Sequence, residues 1–394
     1  MNDGLPWQAK VPRSGWLSEL SITSFAPPCL KWYDIWKSRT ERLQSRLPSE
    51  IGQWDMQRLP RLIKTSNMTR STDRQPRPPY DPAIDQVLVA LGHGPDRYEV
   101  ERVRKVSACR TRPLTEALLA DKSVRVETLT IPGPRGNLTV SIVRPMVESN
   151  VKRLRPGIFY IHGGALISCN RFAGLDTSAV WAKEIDAITI SVEYGLAPEN
   201  TGEQLANDCY AGLLWAEQHL TQLGIDPGRL ILYGTSAGGC LAAATALMAR
   251  DKGGPKLSGL FLECPMLDDR NDTISAQQYT SGPFYNSTMN RFAWRCLLGD
   301  RIGTEDVSEY EAPARAADLG GLPPTFIDCA SAEPFRDEIV MFASRLWQAG
   351  VCAELHVWPG GPHGYDRIAP DAPMSKQARE TRLSWLRRVF TRGI

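Results

Sequence analysis

From residue 157 onward, short apolar runs alternate with helical patterns, and this alternation restricts the possible folds more than any other feature of the chain. The runs are GIFYIHGG (157–164), AITISVEY (187–194), RLILYG (229–234), LSGLFLECP (257–265), PTFIDCAS (324–331) and AELHVWPG (353–360). Each has the length of a strand and is apolar nearly throughout, as strands covered on both faces are. The segments between them include EQLANDCYAGLLWAEQHL (203–220), the alanine-rich stretch after Ser236, and RDEIVMFASRLWQAG (336–350); SKQARETRLSWLRRVF (375–390) follows the last run. These read as helices. Strands and helices in alternation predict an α/β protein with a mostly parallel central sheet flanked by helices. Upstream, VRVETLTI and LTVSIVRP alternate in polarity around the turn-rich PGPRGN, which predicts a hairpin.

Two stretches stand outside this pattern. Residues 1–120 carry aromatic-rich fragments such as KWYDIW (31–36). They also carry a polar run, KTSNMTRSTDRQPRPPYDP (64–82), that reads as an exposed linker. The basic residues in and before that run (Arg58, Arg61, Lys64, Arg70, Arg74 and Arg77) read as a solvated segment rather than an anion site. After it, Ile84, Val87, Leu88 and Leu91 fall at helical spacing. The second stretch lies between the strand runs ending at 265 and starting at 324, about 60 residues with no strand signal, and a connection of that length is usually functional. Within it, Phe292, Trp294, Leu297 and Leu298 could line one helix face. The division expected is therefore an N-terminal extension and part of a mainly helical cap (1–120), an α/β core (121–267 and 314–394) and a cap insertion (268–313).

Composition narrows the function classes. Forty-six basic and 44 acidic residues leave a net charge of +2, with no global footprint for nucleic acid. No apolar run reaches the roughly 18 residues of a membrane span. The nine cysteines are scattered without a C-x-x-C pair, and Cys240 and Cys264 sit in apolar runs, which reads as buried thiols rather than a disulfide framework. The first residues, MNDGLPWQAK, show no secretory h-region. The expectation is a cytoplasmic protein with no membrane span.

Gly234-Thr235-Ser236-Ala237-Gly238 follows a strand run and opens a helix, the pattern of a nucleophile elbow. A Cβ at 234 or 238 would collide as the strand reverses into the helix. The alternative is a glycine-rich turn with no chemistry, so partners must decide. A serine needs a general base. Of five histidines, only His356 and His363 lie downstream, where the chain order serine, acid, histidine places the base. His356 lies within the strand AELHVW and reads as a packed strand residue, whereas His363 lies in the loop after it, at the correct end of the sheet. The orienting acid belongs on the loop after PTFIDCAS. Glu333 is the first carboxylate there. Asp337, at the start of the next helix, stands as the alternative, and Glu338 beside it reads as a helix-start acid. His162-Gly163-Gly164-Ala165 ends another strand, where backbone N–H groups could face an oxyanion, with His162 holding the loop. Ala237 offers a further N–H at a helix N-terminus.

Together these pieces resemble the hormone-sensitive-lipase-like family of α/β-hydrolase esterases over roughly residues 122–394. The matching segments are HGGA (family pattern HGGG), EYGLAPEN at 193–200 (YRLAPE-type), GTSAGG (GDSAGG), AEPFRDE (DPLRDE-type) and HGY (HGF). The resemblance implies Ser236 as nucleophile, Glu333 as acid, His363 as base, and the N–H groups of Gly164, Ala165 and Ala237 as oxyanion donors. It also implies a helical cap and hydrolysis of carboxylic esters (short or medium acyl, or small-molecule metabolite esters) through an acyl-enzyme, with no metal or organic cofactor. Four departures bear on substrate choice: Ala165 for glycine, Thr235 for aspartate, Gly195 for arginine and Glu333 for aspartate. Acyl transfer or ring closure with the same triad is the rival chemistry. A non-catalytic ligand receptor is the rival of another class, and the presence of His363 argues against it. The aromatics Trp32, Tyr33, Trp36, Phe284, Tyr285, Phe292 and Trp294 could favour a bulky apolar alcohol part, or could form ordinary cap core.

Overall fold

The structure is a computed structural model that describes residues 76–91, 97–146, 153–282 and 284–392. Trp32, Tyr33, Trp36, His93 and most of the 1–120 extension lie outside the described residues. Eight strands form one sheet in the order β1-β2-β4-β3-β5-β6-β7-β8. They are β1 (Val124–Gly133), β2 (Gly136–Pro145), β3 (Arg155–Ile161), β4 (Ile188–Glu193), β5 (Ile225–Thr235), β6 (Gly259–Glu263), β7 (Thr325–Ala330) and β8 (Ala353–Trp358). β1 pairs antiparallel with β2, and β2 with β4. All other pairings are parallel. The two arms of the hairpin and the six apolar runs of the sequence each become a strand.

The helices are α1 (Pro82–Leu91), α2 (Val100–Ala120), α3 (Leu175–Ile185), α4 (Gln204–His219), α5 (Ala237–Asp251), α6 (Ile274–Gln278), α7 (Ser287–Leu298), α8 (Arg336–Gln348), α9 (Tyr365–Ile368) and α10 (Pro373–Arg392). They cover both faces of the sheet. One apolar cluster joins Ile190, Leu232 and Leu262 of the strands to Leu213 of α4, Leu247 of α5 and Phe342 of α8. The other joins Ile158, Tyr233 and Phe326 to Trp181 of α3 and Trp385 of α10. Alternate strand residues thus serve opposite clusters, which is why the runs had to be apolar throughout. α5 is buried along almost its whole length, and its small side chains let it lie close beneath the sheet.

The strand-free gap between β6 and β7 holds α6 and α7. Asn286 caps α7 by accepting a hydrogen bond from the Met289 N–H at 2.9 Å. Trp294, Leu297 and Leu298 are buried, with Phe292 packed beside them. Two features differ from the sequence reading. The last residues of the polar run are docked rather than free. Tyr279 Oη donates to the Pro78 carbonyl (2.8 Å), Gln278 Nε2 donates to the Pro76 carbonyl (2.5 Å), and Asp81 N–H donates to the Gly360 carbonyl (2.8 Å). And α2, which carries no clear apolar stripe, is a long helix held largely by polar contacts. Arg104 Nε donates to the Ile167 carbonyl (2.8 Å), its Nη2 donates to the Ala197 carbonyl (3.0 Å), and the guanidinium pairs with Glu199 (2.6 Å).

Candidate active site

The elbow joins β5 to α5. Ser236 sits between them at φ 56°, ψ −118°, a conformation that a non-glycine residue holds only when its surroundings impose it. The flanking glycines are steric necessities. A Cβ on Gly234 would stand 2.0 Å from the Gly238 carbonyl oxygen, and one on Gly238 would stand 2.1 Å from that of Ile161. The Ser236 peptide is held from both sides. Its N–H donates to the Glu263 carbonyl (2.8 Å), and its carbonyl accepts from Gly239 (2.8 Å), Cys240 (3.1 Å) and Met266 (3.1 Å).

Ser236 Oγ lies 2.9 Å from His363 Nε2, and His363 Nδ1 lies 2.5 Å from Glu333 Oε2. All three side chains are buried, with Ser236 8%, His363 6% and Glu333 1% exposed. The other Glu333 oxygen accepts the Ala330 N–H at 2.6 Å, which fixes the longer side chain. The loops that carry acid and histidine are stitched together: Ser331 N–H donates to the Trp358 carbonyl (2.8 Å), and Ala332 N–H to that of Gly361 (3.0 Å). The imidazole is walled by Tyr285 (ring centroids 4.9 Å) and by the edge of Phe335 (5.0 Å).

Asp337, the alternative acid, is engaged elsewhere. Its Oδ2 accepts from Ser275 N–H (2.7 Å), and its Oδ1 pairs with Arg336 (2.7 Å). His356 lies in β8, stacked on Phe326 and Trp358, with its Nε2 2.9 Å from Glu354 Oε1. His162 is buried and stacked on Tyr194 (4.2 Å), with Nδ1 2.7 Å from the Gly163 carbonyl. Burial holds its pKa below the ordinary value, so it is neutral.

The loop after β3 approaches the elbow closely: a Cβ on Gly163 would stand 3.4 Å from Ser236 Cβ. Gly164 has φ 127°, Ala165 φ 57° and Leu166 φ 64°. Ala165 thus adopts the left-handed conformation that its family position, normally glycine, occupies at no cost; for an L-residue it costs roughly 1–2 kcal/mol. Ser168 Oγ braces the loop by donating to the Gly164 carbonyl (2.9 Å).

The remaining departures have structural counterparts. Where a family arginine is replaced by Gly195, the buried Asp208 accepts from Gly195 N–H (3.0 Å) and pairs with Arg135 of the β1–β2 turn (2.7 Å). Beside the nucleophile, Thr235 Oγ1 donates to Tyr233 Oη (3.0 Å), and Tyr233 donates to Glu263 at the end of β6. Glu263 heads a buried polar network that the sequence reading did not foresee. It pairs with Arg367 (3.1 Å), while Arg382 bridges Asp328 (2.8 Å) and Asp366 (2.5 Å). Only the acid DCAS and basic ETRLSW contexts hinted at it, and neither shows which charges meet.

Of the aromatics expected to face substrate, the described ones divide. Tyr285 packs on His363, and Phe284 stands 3.2 Å from where a Gly364 Cβ would be. Trp294 is fully buried and Phe292 packs on Tyr98 (6.1 Å), so these two are packed core side chains.

The model of the α/β hydrolase fold family matches residues 158–367. The esterase LipI of Mycobacterium tuberculosis is 31% identical over 310 residues, 78% of this chain and 96% of that protein. The chain belongs to the hormone-sensitive-lipase-like esterases of the α/β-hydrolase fold. The carboxylesterase NlhH of the same organism is 32% identical to this esterase over 330 residues, 80% of this chain and 97% of the relative. A solved structure described as a bacterial heroin esterase superposes with a TM-score of 0.70 at 34% identity, covering 79% of this chain and 98% of that one. Membership makes the protein a carboxylic ester hydrolase. No helix among the described residues is long and apolar enough to cross a membrane.

Proposed function

We propose that the esterase hydrolyses carboxylic esters of short or medium acyl chains, or small-molecule metabolite esters, through Ser236, His363 and Glu333. The observation that carries this reading is the continuous hydrogen-bonded line from Ser236 Oγ through the imidazole to the Glu333 carboxylate. His363 Nε2 takes the Ser236 proton as Oγ attacks the ester carbonyl, then gives it to the leaving alcohol. The same nitrogen activates the water that releases the acid from the acyl-enzyme. Glu333 holds the imidazole tautomer and balances the imidazolium. The N–H groups of Gly164, Ala165 and Ala237 receive the oxyanion, and each such donor is worth about 10²–10³ in rate. Residues 268–313, with the described part of the N-terminal extension (76–91 and 97–120), form the cap over the serine, and Tyr285 and Phe284 give it an apolar wall beside the base. Buried thiols at Cys209, Cys240, Cys264 and Cys329 support a reducing, cytoplasmic location.

Hydrolysis of p-nitrophenyl esters from acetate to laurate tests this. Turnover that falls with chain length and disappears in Ser236→Ala is expected. Turnover that survives that substitution would contradict it.

A further inference from the structure

The strained Ser236 conformation needs an external clasp, and the clasp is the segment that leaves β6. Glu263 C=O holds the Ser236 N–H, and Met266 N–H holds the Ser236 C=O. Between them Cys264 is itself at positive φ (40°), its N–H donating to the Asp328 carbonyl at 2.8 Å. Glu263 is the last residue of the ladder with β5 and β7, whereas 264–268 lie beyond it, and a strained loop does not hold a strained elbow unless something fixes its far end. At the far end the Leu267 carbonyl accepts the Ala314 N–H (3.1 Å), and one buried side chain holds the N–H groups. Glu338 Oε1, from the first turn of α8, accepts the Leu267 N–H (2.7 Å) and the Asp268 N–H (3.3 Å). The carboxyl is 2% exposed, and its second oxygen, Oε2, is buried with no hydrogen-bond partner among the described residues.

We infer that Glu338 is a positioning residue for the nucleophile, a neutral carboxyl that bolts the segment after β6 to α8 and so holds Ser236 in register with His363. This rests on the reading of Ser236 as nucleophile. Neutrality follows from the surroundings. Among the described residues no cation pairs with the carboxyl, and burial pushes its pKa well above the ordinary carboxylate value. The groups facing it are Asp268, paired with Arg270, and Glu333, together with Tyr285 and Cys240. A charged Glu338 would set a second anion near the Glu333–His363 pair.

The experiment compares Glu338→Gln, which keeps an acceptor and the neutral shape, with Glu338→Met, which keeps volume and loses the acceptor. The substrate is p-nitrophenyl butyrate, and active enzyme is counted by fluorophosphonate labelling. Glu338→Gln is expected to retain kcat within about threefold, with the acidic limb of its kcat/KM profile unmoved. Glu338→Met is expected to lose about 10- to 100-fold in kcat per folded molecule at near-constant KM, the scale of a misplaced reacting group. A purely structural role would lower Tm and the folded fraction but leave kcat per labelled site unchanged, and that result would overturn the inference. If Glu338→Met does not fold, Glu338→Gln still decides: an acidic limb displaced downward by half a pH unit or more would show that a charge had been removed. Wild-type protein that fails to label at Ser236 would instead overturn the underlying reading of the nucleophile.

Discussion

Ser236, His363 and Glu333 meet because three separate loops at the carboxyl ends of β5, β7 and β8 are cross-braced, and in the proposed mechanism each side chain has one task. Glu333 makes no other charged contact in the geometry described, so its role is testable alone. Glu333→Gln keeps the shape but permits the wrong imidazole tautomer, and kcat should fall by up to about 10⁴-fold with KM little changed. Steady-state kinetics on a p-nitrophenyl ester checks this. A second prediction concerns stability. Asp328 is buried within β7, where desolvation raises its pKa from 3.8 to about 6 despite the opposing Arg382. The unfolded chain releases this proton near pH 4 and the folded chain near pH 6. Between those values the folded state therefore holds more protons, and this group's contribution to stability falls as pH rises. Asp328→Asn resembles the protonated wild type at all pH values. The Tm of wild type should drop relative to Asp328→Asn between pH 4 and 7; a constant difference would contradict the burial argument.

At the scale of elements, sequence was informative wherever packing alone decides structure. The runs of β3, β5, β6 and β7 became strands whose alternate residues serve the two apolar clusters, and Gly234 and Gly238 marked the elbow because backbone atoms lie 2.0 and 2.1 Å from their missing Cβ positions. It was uninformative where polar contacts decide. α2 has one fully buried apolar side chain, Leu118, and Pro113 in its interior, so periodicity gave no signal. Its position is set by Arg104 reaching carbonyls 63 and 93 residues away. Arg104 thereby clamps the Ile167 and Ala197 backbone next to the loop after β3. Arg104→Lys cannot reproduce this forked geometry. It should lower Tm by a few degrees and kcat more than KM, as thermal melts and ester kinetics would show. Likewise, residues 76–81 look like linker because much of their docking uses backbone carbonyls and Asp81 N–H, which any sequence supplies, although Tyr80 (6.1 Å) and Arg77 (5.3 Å) also pack on the Tyr279 ring.

At the scale of the whole molecule, the family pattern was legible because the chemistry restricts residue type at each motif. The four departures from it were visible, but their consequences were not. Arg135 stands in for a cation at 195, and Glu263 supplies the carboxylate beside Thr235, from segments 60 and 28 residues away in sequence. Ala165 shows the reverse case, in which the fold imposes φ 57° on the residue present. Compensation of this kind is a three-dimensional property. In the proposed mechanism the sheet sets the elbow, the loops set the base and acid, and the segment after β6 holds the serine's strained backbone, all directed at one covalent event on Ser236. Mass spectrometry of the enzyme, acid-quenched within milliseconds of mixing with p-nitrophenyl butyrate, observes that event. A butyryl group on the peptide containing Ser236, absent from Ser236→Ala, is the expected result. Undiminished p-nitrophenol release with no acyl adduct, or an adduct on another residue, would contradict it.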